Sequence, residues 1–220
     1  MNYPSHSLVF LQLLCLFLSP LCFSLAEARI GESKTNLERR LFASGGIRYR
    51  DDAIIEARRE DMPYEQFMLY LESDFEFEIY HKSATADKAL RSKFTARRML
   101  PGWDLHVIYI NGKSAVEVYQ RSTGMTEQEM NYLLLLQGDG KNWSKREVDS
   151  SEEDESLSLS DMDEEDISAF GYEMVRNDGV VRAKNQRNGI LFVDAKWDIR
   201  FALEQDKERN AGAPISVNGF

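Results

Sequence analysis

"DLHVIYINGKSAVEVYQRSTGMTEQEMNYLLLLQG", residues 104–138, decides the fold class. Asn111-Gly112 stands between two apolar runs, and a type I′ turn needs positive φ at both central positions, which this dipeptide tolerates best. The stretch therefore predicts a β-hairpin over 104–120. Thr126 with Glu129 three residues later is a capping box ahead of Met130, Leu133, Leu134 and Leu136. A helix over 126–137 follows, with Gly138 expected to end it. "GDGKN" (138–142) then reads as a C-cap turn rather than a phosphate loop, because it follows a helix instead of preceding one.

Upstream, "DFEFEIYHK" alternates Phe75, Phe77 and Ile79 with Glu76, Glu78 and Tyr80, the period of a half-buried strand. Before it, "RIGESKTNLERRLFASGG" predicts a helix from N-cap Ser33, with Leu37 and Leu41 on one face and Gly45-Gly46 as the stop. Residues 51–73 predict short helical turns broken at Pro63. "TADKALRSKFTARRM" (85–99) reads as an amphipathic basic segment, with Leu90 and Phe94 on one side. Lys82, Lys88, Arg91, Lys93, Arg97 and Arg98 there face only Asp87. Downstream, Asn177-Asp178-Gly179 and Asn188-Gly189 are turn signals, and Ile190, Phe192, Trp197, Ile199 and Phe201 alternate around them. Three or four strands are expected over 168–205, then a polar tail over 206–220. Strands segregated from helices by antiparallel turns argue α+β.

Between these parts lies "DSSEEDESLSLSDMDEED" (149–166), with ten carboxylates and no basic residue. The chain has 37 acidic and 27 basic residues and a net charge of -10. The tract alone accounts for that excess, so the body is charge-balanced and lacks the basic face that nucleic acid requires. An EF-hand ligand pattern begins well at Asp161, Asp163 and Glu165. It fails at the sixth position, Asp166 where Gly is needed, and at the twelfth, Tyr172 where Glu is needed. The tract reads first as a solvated, disordered loop and second as an electrostatic arm.

The N-terminal run "LVFLQLLCLFLSPLCFSL" (8–25) is uncharged and followed by Ala26-Glu27-Ala28, the pattern of a cleaved secretory signal over 1–28. An uncleaved run would anchor the chain to a membrane. Both cysteines, Cys15 and Cys22, lie inside it, so the mature chain has neither a disulfide nor a thiolate nucleophile.

"RIGESKTNLERRLFASGG" resembles the opening of a group of small secreted bacterial proteins of no established function. "INGKSAVEVYQRS" with "MTEQEMNYLLLLQGDGKNW" resembles that group's second signature, an Asn-Gly-Lys hairpin, a Leu-rich helix and a Gly-rich turn to Trp. Gly31, Lys34 and Leu37 are also similar to BamE-like envelope lipoproteins, which place two helices before a three-stranded sheet. This chain lacks their lipidated cysteine and has Gly45-Gly46-Ile47 where they carry Gly-x-Pro. The resemblance implies an envelope or extracellular protein and carries over no catalytic residue.

The chemistry-bearing residues are sparse. His81 and His106 are the only histidines after the N-terminal segment, each beside a predicted strand and without a metal-ligand spacing. Gly-x-Ser-x-Gly is absent, and no acidic residue is expected to be buried from its pattern. Trp103, Trp143 and Trp197 sit at element edges as core or as contacts. No cofactor or metal ligand is expected.

The expectation is therefore one exported α+β domain with an antiparallel sheet and two to four packed helices. It runs through 29–148 and 168–205 and is interrupted by an acidic loop at 149–167. Its expected role is a non-enzymatic envelope or extracellular module that binds another protein; the alternatives are a small secreted carboxylate hydrolase and a structural surface protein. The candidate contact residues are Asp161, Asp163, Glu164, Glu165, Asp166 and Trp143. An acidic side chain beside His81 or His106 in a cleft would favour the hydrolase.

Overall fold

The computed structural model describes residues 29–71, 74–84, 99, 101–146, 163–164 and 166–211. The chain runs α1 (Lys34–Ala43), β1 (Ile47–Arg48), α2 (Asp52–Arg59), a 3-10 helix (Glu65–Tyr70), β2 (Phe75–Ser83), β3 (Gly102–Ile110) and β4 (Lys113–Arg121). It continues through α3 (Glu127–Gly138), β5 (Trp143–Lys145), β6 (Met174–Arg176), β7 (Val181–Gln186), β8 (Gly189–Asp194) and α4 (Ala195–Ala211). All eight strands join one antiparallel sheet in the order β1-β2-β3-β4-β8-β7-β6-β5. The topology is thus one motif used twice. A four-strand meander followed by a helix is repeated, and the last strand of each meander, β4 and β8, meets the other in the middle.

Local chemistry explains the hinges of this path. Asn111 and Gly112 have φ of 52° and 72° and close the β3–β4 hairpin as the dipeptide dictates. At α3, Thr126 Oγ1 accepts from Glu129 N at 3.3 Å while Glu129 Oε2 accepts from Thr126 N at 3.0 Å, completing the capping box. α2 starts at Asp51, whose carboxylate accepts from the backbone N–H groups of Ala53 and Ile54. α1 stops where Gly45 turns left-handed and Gly46 N–H reaches back to the Leu41 carbonyl.

Alternation along the strands divides the core in two. On one face α1 and α3 lay Leu37, Leu41, Leu133 and Leu136 over Tyr80, Leu105, Val107, Tyr109, Tyr119, Ile190 and Phe192. On the other face the 3-10 helix and α4 bring Tyr64, Phe67 and Phe201 against Ile108, Val116, Val118, Leu191 and Val193, with α2 covering Ile79. Cover on both faces explains why the central strand β8 reads as the unbroken run Ile190-Leu191-Phe192-Val193, as strands do when neither face meets water.

The structure corrects three expectations. Residues 195–211 form a helix, not further strands, and 206–211 belong to it rather than to a tail. Ala195, Asp198, Phe201 and Ala202 are its buried positions, a helical period hidden by the charge at Asp198. Asp194, just before it, accepts from Lys196 N at 3.0 Å, as an N-cap does. Tyr80 on the second face of β2 is buried under α1, while Glu76 and Lys82 of that face stay exposed. Gly138 does end α3, as expected, and the left-handed cap that follows it is Asp139 with φ of 52°. Finally, three carboxylates expected at the surface, Asp104, Glu117 and Asp198, are fully buried.

Candidate binding groove

The floor of a groove is laid by two cross-strand rows. Tyr80, Leu105 and Tyr119 are paired across β2, β3 and β4, and one step along the strands Lys82, Trp103 and Arg121 are paired likewise. Because side chains alternate, both rows face the α1 and α3 side. α1 supplies one wall with Arg40, Leu41 and Ser44, and α3 the other with Gln128, Glu129, Tyr132, Leu133 and Leu136. The enclosed volume is about 400 Å³, within the ~300–1,000 Å³ typical of ligand pockets. Apolar surface also spills beyond the cleft. Phe42 on α1 is 45% exposed, and Tyr132 and Leu135 on α3 are 59% and 68% exposed. Phe42 leans on Tyr80, with ring centroids 6.3 Å apart.

Buried polar atoms hold the floor from behind. Tyr119 Oη donates to Glu117 Oε2 at 2.9 Å, and Gln137 Nε2 of α3 donates to the same oxygen at 2.7 Å. Gln137 Oε1 accepts from Ile30 N at 2.9 Å, so the segment before α1 is tied to the end of α3. Loss of hydration pushes the Glu117 carboxyl up, against the pull of the donors around it. At the rim, Glu129 is held below its ordinary range, first by the Thr126 backbone N–H, and lies 3.1 Å from Arg121 Nε. Arg121 lies over the Trp103 ring at 5.1 Å.

The opposite face of the same strands carries a closed polar cluster. Asp104 Oδ1 bonds His81 Nδ1 at 2.7 Å and accepts from Tyr49 Oη at 3.1 Å, and Arg58 Nε lies 3.7 Å from Asp104 Oδ2. His106 Nδ1 shares a 2.7 Å hydrogen bond with Tyr64 Oη, and burial pushes its pKa down to about 4. An acidic group does stand beside His81, but Asp104 is 0% and His81 2% exposed, so the pair is core and not a cleft. Among the described residues no group of three or more His, Cys, Asp or Glu is placed to hold a metal ion.

The structure scatters the residues singled out from sequence. Trp143 is half-buried, its Nε1 donates to the Leu134 carbonyl at 2.8 Å, and its ring lies 5.8 Å from Phe192, so one side of it packs under α3. Asp166 pairs with Arg146 at 3.2 Å at the base of the acidic tract. Asp163 and Glu164 are exposed beside it, while Asp161 and Glu165 lie outside the described residues. So do the N-terminal run 1–28 and most of the basic segment, of which Lys82 is described. Among the described residues no helix is long and apolar enough to cross a membrane.

Sequence reasoning missed the groove because its walls come from segments some ninety positions apart. One signal was present, in the four consecutive leucines 133–136, since a helix cannot turn all four to one sheet. Comparison of the chain with family models, with curated proteins and with solved structures finds no match in any of the three.

Proposed function

We propose that this chain is a non-enzymatic binding module of the envelope or extracellular space, and that its binding face is the groove between α1 and α3. The carrying observation is the apolar lining of the cleft, Leu41, Tyr80, Trp103, Leu105 and Leu133, with the exposed Tyr132 in its wall and the exposed Phe42 against Tyr80 of its floor. Apolar area left in water costs ~25 cal/mol per Å², and contiguous exposed patches on soluble domains mark contact sites. Aromatic side chains at the lip are the type that anchors protein interfaces. The uncharged N-terminal run with its Ala-x-Ala end supports export.

A photoreactive residue placed at Tyr132 tests the reading against one placed at Val180, an exposed apolar position away from the groove. In the native exported fraction the Tyr132 probe should give one dominant adduct and the Val180 probe none. Equal labelling from both positions, or none from either, removes the groove as the binding face.

A further inference from the structure

Resting on that reading, we infer that the groove's occupant is an acidic, apolar segment of another polypeptide, whose leucine- or phenylalanine-type side chains fill the cleft and whose carboxylate meets Lys82. The charges around the groove are not balanced. Arg40 is paired with Glu32 and Arg121 with Glu129, which leaves Lys82 of the floor as the cation without an ion pair among the described residues. Glu129 is already committed to the α3 cap and to Arg121, so it repels an incoming anion weakly. Arg40 gives one hydrogen bond, from Nη2 to Glu32 at 3.1 Å, and its Nε has no hydrogen-bond partner among the described residues. Lys82 is exposed and forms no ion pair or hydrogen bond among the described residues. An anion entering over Trp103 therefore meets an ammonium group that no described residue neutralises. A cation would meet the like charge of Lys82 in the same place, and like charge at a binding site is a strong means of rejecting wrong partners.

The source is a polypeptide rather than a free amphiphile because of where the apolar surface lies. An acyl chain that filled the cleft of about 400 Å³ would leave Phe42 of α1 and Leu135 of α3, which do not line it, in water. A segment with side chains on either side of its backbone covers the floor and both lips together.

Fluorescence anisotropy with three probes tests this on the full chain. They are a short amphipathic peptide with Leu at i, i+3, i+4 and i+7 and Glu between, the same peptide with Lys for Glu, and decanoate as competitor. The Glu peptide should bind more tightly than the Lys peptide, and added salt should narrow the gap. Lys82→Glu, an exposed site with no partner among the described residues, should weaken the Glu peptide by about two- to five-fold and strengthen the Lys peptide, the size of one exposed ion pair. Tyr132→Asp should weaken both. If both peptides bind equally to the native chain and to Lys82→Glu, yet lose binding in Tyr132→Asp, the acidic chemistry is overturned while the groove stands. If decanoate saturates the site and neither peptide displaces it, the polypeptide source is overturned. If no probe binds, the groove reading falls together with the inference.

Discussion

Two buried carboxylates, Asp198 and Glu117, and the buried His106 do different work, and each leaves a measurable trace. Asp198 accepts from Ser168 Oγ, from the backbone N–H groups of Ala169 and Phe170, and from Arg182 Nη1 at 2.9 Å. It fastens the chain leaving the acidic tract to α4. Asp198→Ala leaves Arg182 buried without its carboxylate, so urea melts should show a loss of about 3–5 kcal/mol. The two remaining buried groups titrate in opposite senses. His106, faced by Tyr64, Asp104 and Arg58, stays neutral in the fold down to about pH 4, whereas in the unfolded chain it takes a proton near the ordinary histidine value of 6.5. Its contribution is therefore complete above pH 6.5 and drains away as pH falls towards 4, a loss of about 3 kcal/mol. Glu117 holds its proton above its ordinary value of 4.5, so its contribution is complete below that pH and declines as pH rises. Glu117→Gln should accordingly gain urea midpoint over the native chain as pH rises from acid to neutral. A gain that does not change with pH would refute the buried-acid account. None of this was legible in the sequence, because Asp104 and Glu117 fall where strand alternation usually points to water. Only cover on both faces of the sheet buries them.

Among the elements, the hairpin and α3 were readable because their signals are local: the Asn-Gly turn and the Thr126–Glu129 box act within a few residues. Thr126→Ala removes one side of that box and should cost about 1 kcal/mol in thermal or urea unfolding. It should also loosen Glu129 from the groove wall. α4 was misread for a physical reason. Trp197, Ile199 and Phe201 satisfy a strand period, while the helical stripe that orders them includes the charged Asp198 and the small Ala195 and Ala202. Phe201 stacks on Phe67 at 5.4 Å and meets Phe170 edge-on at 6.2 Å. Phe201→Ala should therefore destabilise by about 3–5 kcal/mol, far more than loss of a side chain from an edge strand.

At the scale of the molecule, the doubled meander makes one cooperative unit. The β4–β8 pairing at its centre joins segments on either side of the acidic tract, so neither half retains a closed sheet alone. Tryptophan fluorescence and circular dichroism should report a single coincident unfolding transition. The tract itself leaves and re-enters at one place, with Arg146 pairing Asp166 and Arg146 and Arg182 both over the Tyr172 ring. Removing residues 150–162 should therefore shift stability by no more than about 0.5 kcal/mol. The single domain and the sheet spanning the tract were legible from turn chemistry. The groove was not, because a concavity between helices far apart in the chain has no local signal. The most direct measurement is backbone amide shift mapping of the labelled protein during titration with the Leu–Glu peptide. The account predicts changes confined to α1, α3 and the Lys82–Trp103–Arg121 row. Changes centred on the polar cleft between β6 and the start of α4, or on Asp163, Glu164 and Asp166, would contradict it.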